Sequence, residues 1–331
     1  MPTVFVYEYC CALGLGRDPS DPAHSLYREG RAMRDAVAED FRQLPGVEVL
    51  SLDGVDGDLE RREFRKAIGR ADYTLLIAPE AELILEERCT WAPSRRLLGP
   101  TLEAIRLTRD KLALGSWWER HGVPTPKTGL ARDWPPTRVP AVIKPADGAG
   151  SMATYYCGNE SAFLVSRDAA FGESQGDPIA QDFVPGRPAS VAFLIGPTQT
   201  VPLLPTFQIL SDDGRFRYEG GELPTSPDLA ERAISLGQRA VGCVTGLLGY
   251  VGVDLVLGDE VDGSHDSAIE INPRLTTSYV GLRKLANFNL ADAMLRVANG
   301  DPVEPRWKPE RVRFQPDGSV SADPTHGPGT A

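Results

Sequence analysis

Cysteine is scarce in this sequence of 331 residues, and the five that are present follow no metal-binding pattern. Their number is odd and no pair has CxxC spacing, so neither a disulfide framework nor a zinc site is indicated. Cys10 and Cys11 could be reactive, but small buried residues are the favoured interpretation. Reduced thiols of this kind predict a cytoplasmic protein.

The sequence also lacks a basic leader and a long hydrophobic run. No basic region precedes an apolar stretch at the start of the chain, so no signal peptide is predicted. The most membrane-like segment is 241–258, which contains five glycines and Asp254 and is barely long enough to span a bilayer. We expect a helix end followed by a buried strand there.

Positive charge is in deficit, with 35 Lys and Arg against 46 Asp and Glu, which gives a net charge of −11. Such a surface repels phosphate backbones and anionic lipid, so nucleic-acid and membrane partners are disfavoured. A local basic cleft remains compatible with a nucleotide. We therefore expect small-molecule partners, and a homodimer is left open for the assembly.

The first third of the chain alternates predicted strands with predicted helices. This alternation is typical of a parallel sheet covered by helices, so we predict an α/β, Rossmann-like domain over 1–105. The GLG at 14–16 lacks a third glycine at the dinucleotide offset, which favours a turn and leaves a dinucleotide oxidoreductase a weak alternative. The predicted strands are 3–7, 47–52 and 73–78, and the predicted helices are 26–44 and 60–69.

The rest of the chain has an α+β pattern. A single helix is predicted over 101–121, and short strands separated by Gly and Pro follow from about 127. Later helices are expected at 227–247, with Ser226 as a candidate cap and Pro227 at the first helical position, and at 289–299. The predicted units are 106–180, 181–311 and a disordered tail at 312–331.

Two strands near the end of the chain bring acidic side chains to one face. In 250–257 Val251, Val253, Leu255 and Leu257 share one face, which leaves Asp254 on the other. In 267–272 Ile269 and Ile271 share the core face, which leaves Glu270 and Asn272 opposite. If the strands pair as a hairpin, these three polar side chains converge.

Two converging carboxylates need a cation. At about 4 Å they repel by roughly 4 kcal/mol at an effective dielectric near 20. Oxygen ligands of this kind suit Mg²⁺ or Mn²⁺. A solvent-facing strand with ordinary charges is the alternative. Arg274, fixed after Pro273, favours the metal interpretation because its guanidinium binds phosphate oxygens, although a structural ion pair is its own alternative.

A second candidate phosphate site is the segment VIKPADGAGS at 142–151. Lys144 ends an apolar strand, and the loop with Gly148, Gly150 and Ser151 can lay backbone N–H groups over phosphates. The lysine precedes the glycines, so this is not a P-loop. A glycine hairpin with a surface lysine is the alternative.

Two further signals are weak when each is considered by itself. Lys111 follows the pattern of an ordinary solvated helix lysine. The segment QDFVPG at 181–186, with Gln181, Phe183 and Val184, could be a linker between two lobes whose backbone hydrogen-bonds adenine.

In this order and spacing, these pieces resemble the ATP-grasp superfamily over roughly residues 1–300, and EINPR at 270–274 is the most specific of them. The resemblance implies an ATP-grasp fold with an N-terminal Rossmann-like, pre-ATP-grasp domain. It implies ATP contacts by Lys111 and Lys144, a flap at 148–151, an adenine site with Gln181, Phe183 and Val184, two metal ions on Asp254, Glu270 and Asn272, and acyl and phosphoryl stabilisation by Arg274.

A narrower resemblance links 4–16, 27–41 and 271–283 to the tyramine–glutamate ligase group of methanofuran biosynthesis and its bacterial relatives, in one-carbon metabolism. It implies an ADP-forming ligase that uses ATP and two Mg²⁺ ions, with Mn²⁺ as an alternative. The product would be an amide between an amino-acid carboxylate such as that of glutamate and a tyramine-like amine, formed through an acyl phosphate.

Three functional questions stay open from the sequence. The acid that grips ribose in many ATP-grasp proteins is missing after the 181–186 linker, and Asp182 is a poor substitute. An ATP-grasp phosphotransferase and a non-catalytic nucleotide-binding protein are the competing functions. Candidate substrate-binding residues, each with structural packing or a surface loop as its alternative, are Ser278, Tyr279, Arg283 and Tyr218.

Overall fold

The first sheet of the protein is parallel and carries helices on both faces. The computed structural model describes residues 2–93, 96–148, 151–174 and 176–323. Strands in this sheet have the order β2-β1-β3. Its strands are β1 (Thr3–Glu8), β2 (Glu48–Leu50) and β3 (Tyr73–Ile77); its helices are α1 (Tyr9–Leu13), α2 (His24–Arg42), α3 (Gly57–Arg70), a 3-10 turn (Ala81–Leu83) and α4 (Ile84–Trp91).

Strand β1 is buried on both faces, which is why its sequence is a continuous apolar run. Val4 and Val6 pack towards α2, whereas Phe5 and Tyr7 pack towards α3. Two covered faces are the expected environment of a parallel strand, so the predicted α/β organisation is confirmed. The predicted turn at GLG is also confirmed, because Gly14 ends α1 in the left-handed region with φ 69°.

The single helix predicted over 101–121 is wrong. The chain forms α5 (Leu102–Arg109) and α6 (Lys111–Arg120), separated by Asp110 in an extended conformation. The Asp110 carboxylate accepts hydrogen bonds from the N–H groups of Leu112 and Ala113 at 3.0 Å, so it caps a new helix. The break puts Lys111 at a helix start instead of in a helix middle.

A small antiparallel sheet with strand order β4-β7-β5-β6 follows. Ala141, Ile143 and Cys157 are fully buried beneath a helix that covers this sheet, together with Phe163 of that helix. The elements are β4 (Thr128–Leu130), β5 (Ala141–Pro145), β6 (Tyr155–Cys157), helix α7 (Glu160–Glu173) and β7 (Pro178–Asp182).

The largest sheet has eight strands in the order β13-β12-β8-β10-β11-β14-β15, with β9 paired to β8. Its strands are β8 (Arg187–Ile195), β9 (Thr200–Pro202), β10 (Thr206–Leu210), β11 (Tyr218–Leu223), β12 (Gly249–Leu257), β13 (Ser267–Asn272), β14 (Arg311–Phe314) and β15 (Val320–Asp323). Its helices are α8 (Pro227–Gly242), α9 (Ser278–Leu285) and α10 (Leu290–Ala298).

The membrane-like segment is confirmed as a helix end leading into a buried strand. Helix α8 ends at Gly242, five residues before the predicted end, and β12 begins at Gly249. Pro227 occupies the start of α8 as predicted, but the Ser226 side chain makes no capping hydrogen bond. Within the described ranges, no helix has the length and apolar character needed to cross a bilayer.

The last described strands correct the expectation of a disordered tail from 312. Strand β14 pairs with β11, and β15 pairs with β14, because Val312 and Phe314 alternate onto the core and are buried. The part of the predicted tail at 324–331 lies outside the described residues. All five cysteines are free thiols, and Cys10 and Cys11 are buried, as predicted for these two residues.

Candidate functional site

The predicted hairpin of two acidic strands is present. Strands β12 and β13 are antiparallel, with Asp254 opposite Glu270 and Gly252 opposite Asn272. The four aliphatic residues predicted for the core face of β12 lie in one hydrophobic cluster: Val251, Val253, Leu255 and Leu257.

One detail of the hairpin differs from the prediction. Leu255 pairs with Ala268, so the register skips Ile269, which forms a bulge beside Glu270. As a result Ala268, and not Ile269, shares the core with Ile271. A bulge re-aims the side chains next to it, which strict alternation along the strand could not anticipate.

Two amide side chains hold Asp254 in place. Its Oδ1 accepts a hydrogen bond from Gln208 Nε2 and its Oδ2 accepts one from Asn272 Nδ2, both at 2.9 Å. Gln208 lies on β10, so a strand from the middle of the sheet orients a carboxylate on β12. With its nitrogen committed to Asp254, Asn272 keeps its amide oxygen for another partner.

Lysines from two other elements approach Glu270. Lys111 Nζ lies 3.3 Å from Glu270 Oε2, and the Lys111 side chain is only 10% exposed. Lys144, at the end of β5, is buried. The alternative of solvated surface lysines is therefore wrong for both residues.

The charges of these groups act on one another. Burial, with the neighbouring charge of Lys111, lowers the pKa of Lys144 to about 8, although Glu270 opposes this shift. Burial opposes ionisation of Glu270, but Lys111 and Lys144 together hold its pKa below the usual range. Burial and the charge of Glu270 raise the pKa of Asp254. The two carboxylates and two lysines therefore form one electrostatic unit.

The donor set at this unit fits a hard divalent cation. Asp254 and Glu270 are close enough to disfavour double ionisation, and a divalent cation relieves that repulsion. Within the described residues, no group of three or more His, Cys, Asp or Glu side chains is placed to hold a metal ion. The carboxylates of Asp254 and Glu270 and the amide oxygen of Asn272 provide only part of an oxygen coordination shell. Such a partial shell is usual for Mg²⁺ that is bound together with phosphate oxygens.

Arg274 is fixed by an acid from the first sheet's domain. Its Nε lies 2.9 Å from Glu80 Oε1 and its Nη2 donates to Glu80 Oε2 at 3.2 Å. Both side chains are nearly buried, with exposures of 12% for Arg274 and 6% for Glu80. The partner of Arg274 is therefore Glu80, and the alternative of an ion pair between Arg274 and Asp254 or Glu270 is wrong.

The predicted flap lies against the candidate phosphate site. Lys111 Nζ donates to the carbonyl oxygen of Gly148 at 3.0 Å. The Ser151 hydroxyl donates to the carbonyl oxygen of Phe216 at 2.7 Å, which joins the flap to the turn between β10 and β11. Gly150 lies outside the described residues.

The predicted linker at 181–186 joins the small sheet to the large one, because β7 ends at Asp182 and β8 begins at Arg187. At Gly186 a Cβ would lie 2.4 Å from the carbonyl oxygen of Leu257, and φ is 144°, so this position requires glycine. The linker is thus pressed against the end of β12.

Aromatic rings surround this linker. Phe183 stacks near Phe216, with centroids 6.3 Å apart and planes 23° apart, and Tyr156 contacts Phe183 edge-on at 4.9 Å. Val184 follows in the same linker and is half-buried. Gln181 is buried and its Nε2 donates to Thr128 Oγ1 at 2.9 Å. An apolar, aromatic surface of this kind suits the face of a flat heterocycle.

The Asp182 carboxylate forms an ion pair with Arg138. Arg138 donates two hydrogen bonds to this carboxylate, at 2.7 and 2.6 Å. This pairing agrees with the expectation that Asp182 is a poor substitute for a ribose ligand.

The predicted substrate residues divide into two groups. Ser278 is buried in a hydroxyl cluster, 2.9 Å from the Tyr250 hydroxyl and 2.8 Å from Thr276 Oγ1. Tyr218 lies within the electrostatic range of Asp254, whose charge adds to burial in raising the pKa of Tyr218. Tyr218 begins strand β11, however, and is not part of a loose glycine loop.

Tyr279 and Arg283 do not face this site, which corrects the prediction for both. The Tyr279 hydroxyl is fully buried and donates to Asp40 Oδ2 at 2.7 Å, and Arg283 Nε donates to Asp40 Oδ1 at 3.0 Å. Asp40 belongs to α2, so these residues attach α9 to the N-terminal domain. The alternative of a helix packing on its neighbours is the correct one.

The sequence reasoning missed Glu80, Gln208 and Phe216. Glu80 has a recognisable signal, because it follows Pro79 just beyond the carboxyl end of a parallel strand, where ligand sites in such sheets lie. Gln208 lies on a short strand with no periodicity to mark it. Phe216 has φ 53°, an unusual value for phenylalanine that no sequence pattern indicates.

Comparison with known families gives two matches along the chain. Residues 108–278, more than half of the chain, match the ATP-grasp domain. Residues 33–105 match the pre ATP-grasp 3 domain. All the residues of the electrostatic unit lie within the first match.

Individual proteins are similar over most of the chain. The tyramine–L-glutamate ligase of Methanocaldococcus jannaschii is 27% identical, covering 93% of both chains, and that of Methanocaldococcus fervens is 29% identical, covering 80% of this chain and 79% of the relative. A crystal structure of an ATP-grasp superfamily protein from Archaeoglobus fulgidus superposes with a TM-score of 0.67 at 25% identity, covering 95% of this chain and 92% of that one.

Proposed function

The chain belongs to the ATP-grasp family, and from this membership we propose that it is an ADP-forming ligase that joins a carboxylate to an amine. The observation that carries the proposal is the convergence of Lys111, Lys144, Asp254 and Glu270 from four separate elements. Two buried lysines beside two acids provide charge for both a triphosphate and its cation.

We place the nucleotide between a small subdomain at 106–180 and a metal and substrate subdomain at 181–311, after a pre-ATP-grasp domain at 1–105. Phe183 and Val184 would contact adenine from the linker, with Gln181 beneath them. Lys111 and Lys144 would contact phosphate oxygens, and the flap with Gly148, Gly150 and Ser151 would cover them.

ATP and a divalent cation are the cofactors of this family, and we assign two Mg²⁺ ions to this chain. Asp254, Glu270 and Asn272 would hold them. When bound, the ions neutralise the phosphate charge that the lysines alone leave uncompensated.

The reaction has two steps. An oxygen of the substrate carboxylate attacks the γ-phosphorus of ATP, the bond to the β-phosphate oxygen breaks, and ADP leaves with that electron pair. The amine nitrogen then attacks the carbonyl carbon of the acyl phosphate, inorganic phosphate leaves, and the nitrogen loses a proton. The Arg274 guanidinium, held by Glu80, is placed to stabilise oxygens that gain negative charge in both steps.

For the substrates we propose glutamate as the carboxylate and tyramine as the amine. The support is the activity for which the two Methanocaldococcus relatives are named, since both align over most of this chain, together with the motif resemblance. The same two substrates therefore come first in any assay.

The test is phosphate release coupled to product detection. Purified protein with ATP, Mg²⁺, glutamate and tyramine should release phosphate and form one amide per phosphate, measured by mass spectrometry. Glu270→Gln should reduce the rate by at least about 100-fold, because it removes a metal ligand and the partner of Lys111.

The matched control is Glu260→Gln, in the exposed turn of the same hairpin, which should retain wild-type turnover. Wild-type turnover in Glu270→Gln would remove the metal assignment. Phosphate release without any amide, across a panel of amino acids and amines, would contradict the ligase proposal and favour phosphotransfer.

A further inference from the structure

Glu29, on helix α2, is an acidic residue that has no role in the reaction proposed above. Its carboxylate accepts a hydrogen bond from the Thr277 hydroxyl. Thr277 is buried and lies three residues beyond Arg274. The N-terminal domain thus reaches the metal and substrate subdomain at this point.

The charge of Glu29 acts on Tyr218, a residue of the candidate site. Burial, followed by the charges of Glu29 and Asp254, raises the pKa of Tyr218. Tyr218 is therefore within electrostatic range of both Asp254 and Glu29. Together with the Thr277 hydrogen bond, this puts Glu29 beside the segment that follows Arg274.

Glu29 forms no ion pair within the part of the chain that the structure describes. Among the described residues, no Lys, Arg or His nitrogen lies within 4.0 Å of its carboxylate. Arg274 is committed to Glu80. Glu29 is half-buried, and an acid in that position at a substrate cleft is stabilised when a ligand brings the missing positive charge.

We propose that Glu29 is a specificity-determining residue that binds the ammonium group of a substrate. The inference rests on the proposed function, in which both substrates carry a primary ammonium group: the amine that is acylated and the α-ammonium of the amino-acid donor. Either ammonium group would make the same charge-assisted contact with the Glu29 carboxylate. The experiment distinguishes the two groups.

The experiment compares wild type with Glu29→Gln in two assays near neutral pH. The first measures amide formation from glutamate and tyramine. The second replaces tyramine with hydroxylamine, which is uncharged near neutral pH and attacks the acyl phosphate carbon to give a hydroxamate and phosphate. Hydroxamate formation therefore reports activation of the carboxylate without a cationic acceptor.

In Glu29→Gln we expect the KM for the bound ammonium substrate to rise about 10- to 100-fold, because a charge-assisted hydrogen bond is worth about 1.5–3 kcal/mol. If Glu29 holds the acceptor, the tyramine KM rises and the hydroxamate assay is unchanged. If it holds the donor, the glutamate KM rises in both assays. Either result supports the proposal. Glu29→Asp, which keeps the charge, should show a smaller rise.

Asp35→Asn is the matched control, because it removes one negative charge from an exposed position of the same helix. It should leave both KM values and the ATP KM unchanged. Unchanged KM values for glutamate and tyramine in Glu29→Gln, with normal hydroxamate yield proving that the variant is folded, would overturn the Glu29 proposal alone. Absence of both amide and hydroxamate from the wild type would overturn the ligase proposal and this inference with it.

Discussion

Buried carboxylates in this protein behave according to what surrounds them, and Glu8 is the clearest case outside the candidate site. It caps α1 by accepting hydrogen bonds from the N–H groups of Cys10 at 3.2 Å and Cys11 at 2.7 Å. Burial raises its pKa above the ordinary value of 4.5, although those amides and the charge of Arg34 act in the opposite direction. Folding therefore makes the Glu8 carboxyl group harder to ionise.

This shift predicts a pH dependence. Because the folded pKa is raised, the unfolded chain releases the proton first as the pH rises above about 4.5, and the stability contributed by Glu8 falls until the raised pKa is passed. Glu8→Gln resembles the protonated acid and avoids that loss. The melting temperature of Glu8→Gln relative to wild type should therefore rise between acidic and neutral pH.

Calorimetry at several pH values measures this difference. Glu48→Gln, at an exposed position on β2, is the control and should show no such trend. A difference that stays constant or falls with pH would contradict the raised pKa of Glu8.

At the residue scale, the sequence predicts the side chains whose position follows from strand alternation. Asp254, Glu270 and Asn272 could be placed on one face because a strand has a period of two and the hairpin partner lies nearby. Glu80 could not be paired with Arg274, because 194 residues separate them and no periodicity encodes such a contact.

Helix α6 shows how one capping residue determines the position of a functional group. Asp110 is extended and its carboxylate binds two N–H groups of α6, so the polypeptide changes direction immediately before Lys111. Hydrophobic periodicity alone predicts one continuous helix here, because the apolar positions of α5 and α6 follow a single helical pattern. The residue type at 110 was the available signal, since Asp favours helix starts.

We predict that Asp110→Ala lowers the free energy of unfolding by about 1 kcal/mol and also raises the ATP KM. The first effect is loss of the cap, and the second is loss of the geometry that points Lys111 at Glu270. Urea denaturation and ATP-dependent phosphate release measure the two effects.

Asp56→Ala provides the comparison, because Asp56 caps α3 in the N-terminal domain through the N–H of Asp58. It should lower stability by a similar amount and leave the ATP KM unchanged. An equal change of the ATP KM in both variants would show that lost stability, and not the position of Lys111, is responsible.

A buried polar contact joins the first and last parts of the molecule, beside the hydrophobic cluster that they share. Asp40 on α2 accepts hydrogen bonds from the Tyr279 hydroxyl and the Arg283 guanidinium on α9. The Asp40 side chain is 7% exposed and that of Arg283 is 17% exposed. Helices α2 and α9, whose contacting residues lie 239 and 243 positions apart in sequence, are thereby fixed side by side.

We predict that Asp40→Ala lowers the free energy of unfolding by about 1.5–3 kcal/mol, because it removes the buried partner of Arg283, which keeps only the exposed Glu39. Chemical denaturation measures the change. Asp35→Ala, at an exposed position of the same helix, should change stability by no more than about 0.5 kcal/mol. Similar losses in the two variants would refute a special role for the Asp40 contact.

At this scale the sequence predicts the fold class through motif order and the strand–helix alternation of the N-terminal domain. It does not predict the last described strands. Residues 312–323 are polar and rich in turn formers, and they are ordered because Val312 and Phe314 add to the edge of β11. That edge is created by distant parts of the chain, which is why local composition indicated disorder instead.

The turn between β10 and β11, residues 211–217, has a consequence for the speed of the reaction cycle. It is fastened to the small sheet by the Ser151–Phe216 hydrogen bond at 2.7 Å and by the Tyr156 N–H to the Gly214 carbonyl at 2.8 Å. In the proposed binding mode a nucleotide lies between the two sheets, and its release would separate these contacts. Departure of ADP, and not formation of the new bond, can then be the slowest event of each cycle.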